Sequence, residues 1–285
     1  MSIRLIHTET LRLKAFTGGA IPKYAILSHT WIPDGEVSFQ EMMAIAEYPE
    51  DAATKKSGYK KIVKCCQKAR SHGYMYTWID TCCIDKTSSA ELSEAINSMY
   101  KWYGEASICY VYLWDVPAGQ DLSADDSEFR ASRWFTRGWT LQELLAPSSL
   151  AFYDQDWGIL GQELKQPGCE ESGWKRLVSA ASVAERMSWA AGRITIRVED
   201  MVYCLLGIFD VNMPLLYGEG EKAFVRLQEE IIKEYDDHSL LFWHDRSLIS
   251  TGGSCFARRP ADFGRSGDAR VIGLTRFIIS SYPTI

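Results

Sequence analysis

The chain has 285 residues, of which 46% are hydrophobic and 24% charged, and its formal net charge is −6. A chain of this length and apolar content can bury a sizeable core, which excludes general disorder and allows one large domain with or without a helical extension. The negative charge excludes a basic footprint for nucleic acid, although a small anion such as phosphate can still bind at a helix N-terminus.

Cysteine spacing and the N-terminal sequence indicate the cellular compartment. The eight cysteines include no Cys-x-x-Cys pair, so we expect no zinc site and no other metal site. Most of them lie in apolar runs, as buried free thiols do. The first residues lack a signal-peptide pattern, and no stretch approaches the roughly 18–20 apolar residues of a membrane span. We therefore expect a cytoplasmic protein whose cysteines are reduced.

Predicted strands and helices alternate through the first half of the chain. A hairpin of Ile3–Ile6 and Leu11–Phe16 comes first, and a buried strand over 24–28 follows it. A helix over 59–71 carries apolar residues on one face and lysines on the other. The remaining elements, in order, are a short helix near Phe39–Glu47, strand Tyr76–Cys83, helix 89–103, strand Ile108–Leu113, helix Trp134–Leu145 and strand Leu150–Tyr153.

This alternation predicts an α/β fold with a mostly parallel sheet flanked by helices. After about residue 175 the pattern changes to predicted helices over Val183–Ala191, Val198–Phe209 and Glu219–Tyr235, with a last apolar strand at Val271–Ile279. We expect an α/β domain over residues 1–160, including the hairpin, and a helical extension with a terminal strand over residues 161–285.

Polar residues follow the first two predicted parallel strands, where open α/β sheets bind ligands. These residues are Ser28, His29 and Trp31 after the first strand, and Asp80, Cys83 and Asp85 at the end of the second. The two aspartates could bind a ribose hydroxyl or a catalytic water, or cap loop N–H groups. His29 could be a general base or a hydrogen-bonded strand end. Trp31 could stack on a ligand ring or pack in the core.

Glu91 lies in the first turn of the clearest helix, at the edge of its apolar face, where a carboxylate can point into a cleft. Ser88-x-x-Glu91 is also a capping box, in which Glu91 would accept the N–H of Ser88. The two roles are compatible, because a capping carboxylate keeps acceptor capacity.

A segment dense in aromatic and charged residues runs from Arg133 to Glu143. Arg133 or Arg137 could contact a phosphate. The alternative is a helix whose tryptophans pack in the core while Glu143 forms an ion pair.

Five segments resemble, in family order, the successive blocks of the fungal heterokaryon-incompatibility (HET) domain. Their sequences are Tyr-Ala-Ile-Leu-Ser-His-Thr-Trp at 24–31, Gly-Tyr-x-Lys-Ile at 58–62, Trp-Ile-Asp-Thr-Cys-Cys-Ile-Asp at 78–85, Ala-Glu-Leu-Ser-Glu-Ala-Ile-Asn-Ser-Met-Tyr at 90–100 and Arg-Gly-Trp-Thr-Leu-Gln-Glu at 137–143. Segments at 186–190, 197–207 and 213–220 resemble the stretch that follows the HET core in vegetative-incompatibility proteins. The sequence departs from the commoner pattern at His29, Ile32 and Lys86, where the family often has Tyr, Gly and Gln.

The resemblance implies a fold similar to TIR domains, which are flavodoxin-like, and a role in programmed cell death on non-self recognition. TIR relatives include enzymes that cleave NAD at the nicotinamide–ribose bond with a glutamate on the helix after the third core strand. The positional counterpart of that glutamate is Glu91, so the resemblance implies Glu91 and Asp80 as catalytic residues. The implied nucleotide-binding residues are Ser28, His29, Trp31, Cys83, Asp85, Trp139 and Glu143.

Two functions follow from the resemblance. The first is an NAD glycohydrolase, with NAD as substrate and no separate cofactor. The second is a non-enzymatic death-signalling module that acts through a homo-oligomer or through another partner, such as an upstream NLR-like sensor.

Overall fold

The computed structural model describes residues 2–119, 122, 124, 126–163, 173–244 and 255–266. The chain forms two compact units that interleave along the sequence. The first comprises Met1–Gln120 and Pro147–Leu164, and the second comprises Asp121–Ala146 and Lys165–Ile285. No helix among the described residues is long and apolar enough to cross a membrane.

A seven-stranded mixed sheet forms the centre of the first unit. Its strands are β1 (Ser2–His7), β2 (Leu13–Thr17), β3 (Ala25–His29), β4 (Tyr76–Trp78), β5 (Ile108–Tyr112), β6 (Leu150–Tyr153) and β7 (Ile159–Glu163), in the spatial order β2-β1-β4-β3-β5-β6-β7. The four central strands β4, β3, β5 and β6 are parallel, whereas β1, β2 and β7 pair antiparallel with their neighbours. The predicted α/β class, with a hairpin at the start of the chain, is confirmed.

The central strands are buried on both faces, as the strands of a parallel sheet covered by helices must be. Every residue of β3 and of β6 is buried. In β3 the register pairs Ala25 with Ile108 and His29 with Tyr112 of β5. The carboxyl ends of β3 and β5 therefore lie side by side at one edge of the sheet.

Four helices of the first unit lie between the parallel strands in sequence: α1 (Phe39–Glu47), α2 (Ser57–Ser71), α3 (Asp80–Cys83) and α4 (Ser89–Glu105). A complete capping box of Ser38 and Glu41 starts α1. Helix α2 begins close to the loop that precedes α1, and Gly58 in the first turn of α2 lies against that loop. A Cβ at Gly58 would be 2.6 Å from the carbonyl oxygen of Gly35 and 2.8 Å from Cα of Glu36.

The predicted strand over Tyr76–Cys83 is wrong beyond Trp78. Residues Asp80–Cys83 form the helical turn α3, in which Cys83 N–H donates to the carbonyl oxygen of Ile79 at 2.9 Å. Because this turn is also buried, its apolar residues continue the run that the strand begins, and a short apolar run does not distinguish a buried strand from a buried helical turn. Strand β7 was not predicted.

The second unit is mainly helical. Its α-helices are α5 (Glu128–Ala131), α6 (Trp139–Leu145), α7 (Gly173–Ala180), α8 (Val183–Ser188), α9 (Asp200–Tyr203) and α10 (Lys222–Glu234), with 3-10 turns at Arg133–Thr136, Leu206–Ile208, His238–Leu241 and Pro260–Phe263. The predicted helix over Val198–Phe209 is therefore two short pieces, α9 and a 3-10 turn. The predicted strand Val271–Ile279 lies outside the described residues.

The predicted helix Trp134–Leu145 is interrupted at Arg137 and Gly138. There the backbone pairs with Ile194, whose N–H donates to Thr136 at 2.7 Å and whose carbonyl accepts from Gly138 at 2.9 Å. A Cβ at Gly138 would lie 2.5 Å from Cγ2 of Thr195, so glycine allows this close approach without a shift of the neighbouring side chain.

Candidate functional site

His29 and Asp80 meet at the carboxyl ends of β3 and β4. Nε2 of His29 lies 3.0 Å from Oδ1 of Asp80, and the indole N–H of Trp31 donates to Oδ2 of Asp80 at 2.9 Å. The His29 side chain is 1% exposed and that of Asp80 is 21% exposed. The structure thus brings together three of the predicted site residues, with both Asp80 oxygens hydrogen-bonded.

Two residues that were not predicted as site residues extend this chain of contacts inward. Nζ of Lys61 lies 2.8 Å from Nδ1 of His29 and 2.5 Å from Oε1 of Glu36. Oε1 of Glu36 also accepts the N–H of Ile32 at 2.8 Å. We call Glu36, Lys61, His29, Asp80 and Trp31, in that order, the relay.

The charge on Lys61 sets the tautomer of His29. A lysine ammonium can only donate, so Nδ1 of His29 accepts from it and the ring proton resides on Nε2, from which it is donated to Asp80. Both ring nitrogens are therefore engaged inside the protein. The His29 side chain is 1% exposed, so in this geometry its ring contacts Asp80 and Lys61 and not solvent.

Charges within the relay keep Asp80 ionised. Burial alone would raise the pKa of Asp80, but the hydrogen bond from His29, the charge of Lys86 and the hydrogen bond from Trp31 hold that pKa well below its usual range. The pKa of Lys61 is lowered, because burial lowers it more than the attraction of Glu36 raises it. Asp80 is thus an anionic carboxylate that is held between His29 and Trp31.

The outer end of the relay is exposed. Trp31 is 46% exposed, and Nζ of Lys86 lies 3.9 Å from the centroid of its ring. Lys86 is itself exposed. An aromatic ring, an ammonium and a carboxylate therefore adjoin one another at the carboxyl edge of the sheet.

Glu91 occupies a second cluster on the first turn of α4. Its two oxygens accept from the Arg4 guanidinium at 2.7 and 3.1 Å, and Oε1 also accepts the N–H of Asp85 at 2.7 Å. Burial opposes ionisation, but the hydrogen bonds from Arg4 and Asp85 outweigh it and lower the pKa of Glu91. Ser88 caps the helix by accepting the N–H of Glu91, whereas the return bond of the predicted capping box goes to Asp85 instead of Ser88. Glu91 therefore has a structural role in the fold, and any catalytic role would be additional to it.

The other predicted residues of the first unit lie nearby in the fold. The carbonyl of Cys83 accepts from Arg4 at 3.0 Å, and burial raises the pKa of its thiol well above the usual range. The carboxylate of Asp85 accepts from Gln40 at 2.7 Å and from the Thr87 hydroxyl at 2.6 Å. Ser28 is completely buried in β3.

Trp139 and Glu143 belong to the second unit, on α6. The Asp200 carboxylate accepts hydrogen bonds from the Trp139 indole and from the Tyr217 hydroxyl, the latter at 3.0 Å. Burial raises the pKa of Asp200 against the effect of these bonds. Glu143 is 7% exposed, and its charge acts on Arg193 and Arg137. Asp200 and Tyr217 were not predicted.

The residues that were not predicted differ in whether the sequence carries a signal that could have identified them. Lys61 was predicted to be solvated with the other lysines of α2, but it follows Gly58 by three positions and precedes Cys65 by four, which places it on the buried stripe. Glu36 and Lys86 lie in loops without periodicity, and Lys86 was noted only as a departure from the commoner family pattern. Among the described residues there is no cluster of three or more His, Cys, Asp or Glu side chains that could hold a metal ion.

Residues 24–126 match the family model described as heterokaryon incompatibility protein (HET). The chain is also similar to the vegetative incompatibility protein HET-E-1 of Podospora anserina, with 46% identity over 235 residues, or 78% of this chain. The match covers only 17% of that much longer relative. No solved structure matches the chain. All five residues of the relay, together with Lys86 and the first turn of α4, lie within residues 24–126, the segment that is similar to the HET family.

Proposed function

We propose that the chain acts in heterokaryon incompatibility and triggers programmed cell death on non-self recognition. Support comes from the 46% identity to a protein described as a vegetative incompatibility protein. That identity extends over 235 residues, well beyond the 24–126 segment, so it supports a shared role for the second unit as well.

The chemistry that we propose for this role is hydrolysis of NAD at the nicotinamide–ribose bond. Four central parallel strands in the order β4-β3-β5-β6 reproduce the first four strands of a flavodoxin-like sheet, which supports a TIR-like fold. Such sheets bind ligands outside the carboxyl ends of their strands, where Asp80 and Glu91 follow β4.

Two ionised carboxylates at that edge carry the mechanistic proposal. When the bond from nicotinamide to the ribose carbon breaks, the electron pair leaves with nicotinamide and positive charge develops on the ribose. A fixed anion nearby stabilises that charge without reorganising. Water then adds its oxygen to the ribose carbon and loses a proton, giving ADP-ribose. We assign Glu91 to charge stabilisation and Asp80 to a contact with the ribose hydroxyls.

Glu91→Gln tests the assignment, and Glu94→Gln on the exposed side of α4 is its matched control. We expect NAD consumption by purified protein to fall by at least about a hundredfold in Glu91→Gln, the scale of one lost electrostatic contact in a transition state. Glu94→Gln should retain parental turnover. Equal NAD consumption by Glu91→Gln and the parent would exclude Glu91 as the catalytic group.

Arg4→Met separates catalysis from the structural role of Glu91. This variant removes the ion pair but keeps the carboxylate. If Glu91 acts on the substrate, Arg4→Met should keep measurable turnover at temperatures where it is folded, whereas Glu91→Gln should not. Equal loss in both variants would show that the pair matters only for structure.

A second candidate function is a non-enzymatic signalling module that acts by self-association or by binding a partner. The observation that favours it is the engagement of both Glu91 oxygens by Arg4 and Asp85. It predicts that NAD remains intact even at high protein concentration, and that Glu91→Gln affects cell death only as far as it destabilises the fold.

A further inference from the structure

We propose that Trp31 is a rigid stacking platform for a planar heteroaromatic ring, and that Lys86 binds the phosphate attached to that ring. The ligand class is therefore a nucleotide. Lys86 then contacts the ligand directly, whereas Lys61 and Glu36 are positioning residues that act through His29 and Asp80 on Trp31.

The orientation of Trp31 is fixed from the interior. Its indole N–H is held by Asp80 at 2.9 Å, Asp80 is held by His29 at 3.0 Å, and His29 is held by Lys61 at 2.8 Å. Lys61 is 2% exposed and pairs with Glu36, so its own position is fixed. Burying charged groups is costly unless each is paired. A tryptophan that only covered the surface would not need four buried or half-buried polar groups behind it, whereas a stacking surface gains affinity from being preorganised.

Lys86 supplies the second element of the site. Its ammonium lies 3.9 Å from the Trp31 ring centroid and its charge acts on Asp80. The adjacent Asp80 would repel a phosphate, and Lys86 is the cation that offsets this repulsion. The other nearby carboxylate, Asp85, is already bound by Gln40 and Thr87. When a ring stacks on Trp31, the ammonium exchanges its contact with the indole face for a contact with phosphate.

This inference deepens the proposed function and relies on it only for the expectation that the nucleotide is NAD or a part of it. Binding of a nucleotide fragment that lacks the scissile bond can be measured without turnover. If nucleotide fragments bind but NAD stays intact, the hydrolysis proposal is wrong and the stacking proposal stands. If NAD is cleaved but the fragments bind equally well without Trp31, the stacking proposal is wrong and the hydrolysis proposal stands.

The test uses three probes with the full chain: AMP, which has ring and phosphate; adenosine, which has only the ring; and ribose 5-phosphate, which has only the phosphate. Titration calorimetry should show AMP binding more tightly than either part. We expect Trp31→Leu to weaken AMP and adenosine by about tenfold or more, as loss of one stacking contact does. Lys86→Gln should weaken AMP and ribose 5-phosphate by about three- to tenfold and leave adenosine unchanged.

Tyr48→Leu and Lys60→Gln are the matched controls, because they change an exposed aromatic and an exposed lysine elsewhere in the first unit. Both should bind AMP as the parent does. Three results would overturn the proposal: no AMP binding at millimolar concentration, unchanged AMP affinity in Trp31→Leu, or an equal loss of adenosine and AMP affinity in Lys86→Gln. Trp31 and Lys86 are exposed, so both variants are expected to fold.

Discussion

At the scale of single residues, the buried pair of Lys61 and Glu36 is a point where one substitution should lower the stability of the first unit. Their side chains are 2% and 15% exposed and their charged atoms lie 2.5 Å apart. Lys61→Met would leave the buried carboxyl group of Glu36 without its lysine partner. We expect the free energy of unfolding to fall by about 3–5 kcal/mol, which urea denaturation would measure.

The double variant Lys61→Met with Glu36→Met is the control for that prediction. Removing both charges should restore part of the lost stability, because no uncompensated carboxylate remains. Recovery should be incomplete, since the N–H of Ile32 and Nδ1 of His29 would each lose a hydrogen-bond partner. A double variant no more stable than Lys61→Met would show that packing, not charge, makes Lys61 necessary.

Asp80 makes the stability of the protein depend on pH. Because its pKa is lower in the folded chain than in the unfolded chain, the unfolded state binds more protons in acid. The contribution of Asp80 to stability is therefore fully present above its unfolded pKa of about 4 and is lost as the pH falls further.

The measurement is urea unfolding between about pH 3 and pH 7, the range that brackets the ordinary pKa of a carboxyl group. We expect the unfolding free energy of the parent to drop more steeply below pH 4 than that of Asp80→Asn. Some slope should remain in the variant, because Glu41 and Glu91 also have lowered pKa values. Parallel pH profiles would contradict the ionised state assigned to Asp80.

At the scale of elements, the approach of α2 to the loop before α1 brings Lys61 and Glu36 together. Gly58 permits it, since any Cβ there would meet the backbone of Gly35 and Glu36 at 2.6–2.8 Å. We expect Gly58→Ala to displace α2 and to cost about 1–3 kcal/mol, the usual range for overpacking. Gly19→Ala is the control, because a Cβ at Gly19 has open space. Equal unfolding midpoints for the two variants would refute this account of the close approach.

The elements that could be predicted from the sequence are those with a complete local signal. Helix α4 has an N-cap serine and regular apolar spacing, and β3 is a buried run between polar turns, so both were located nearly to the residue. Helix α3 and the break at Gly138 could not be predicted, because their conformations depend on contacts distant in sequence. Gly138, for example, is defined by the pairing of its backbone with Ile194.

The residues of the candidate site also divide into those that could be predicted from the sequence and those that could not. His29, Trp31 and Asp80 follow strands, so their convergence could be inferred from the rule that parallel strands end at one edge. Their partners Lys61 and Glu36 come from α2 and from a loop, which only the tertiary fold brings to that edge. Sequence reasoning therefore located the polar end of the site but not the groups that fix its orientation and charge.

At the scale of the whole molecule, the two units interleave along the sequence, so a cut after β7 separates residues Asp121–Ala146 from the rest of the second unit. Residues Asp121–Ala146 belong to the second unit but precede β6 and β7 in the sequence. Within that segment Trp134, Leu141, Leu144 and Leu145 are at most 1% exposed.

A fragment of residues 1–164 keeps strands β1 to β7 but deprives α6 of its contacts with α7 and with the 3-10 turn at Leu206–Ile208. Its buried leucines and Trp134 would then face water, and exposed apolar surface of this kind promotes aggregation. We expect the fragment to melt at least about 5 °C lower than residues 1–285 and to bind more of a hydrophobic dye, since loss of even one buried leucine costs several kcal/mol. A fragment that melts cooperatively at the temperature of the full chain would show that residues 121–146 fold with the sheet and not with the helices that follow it.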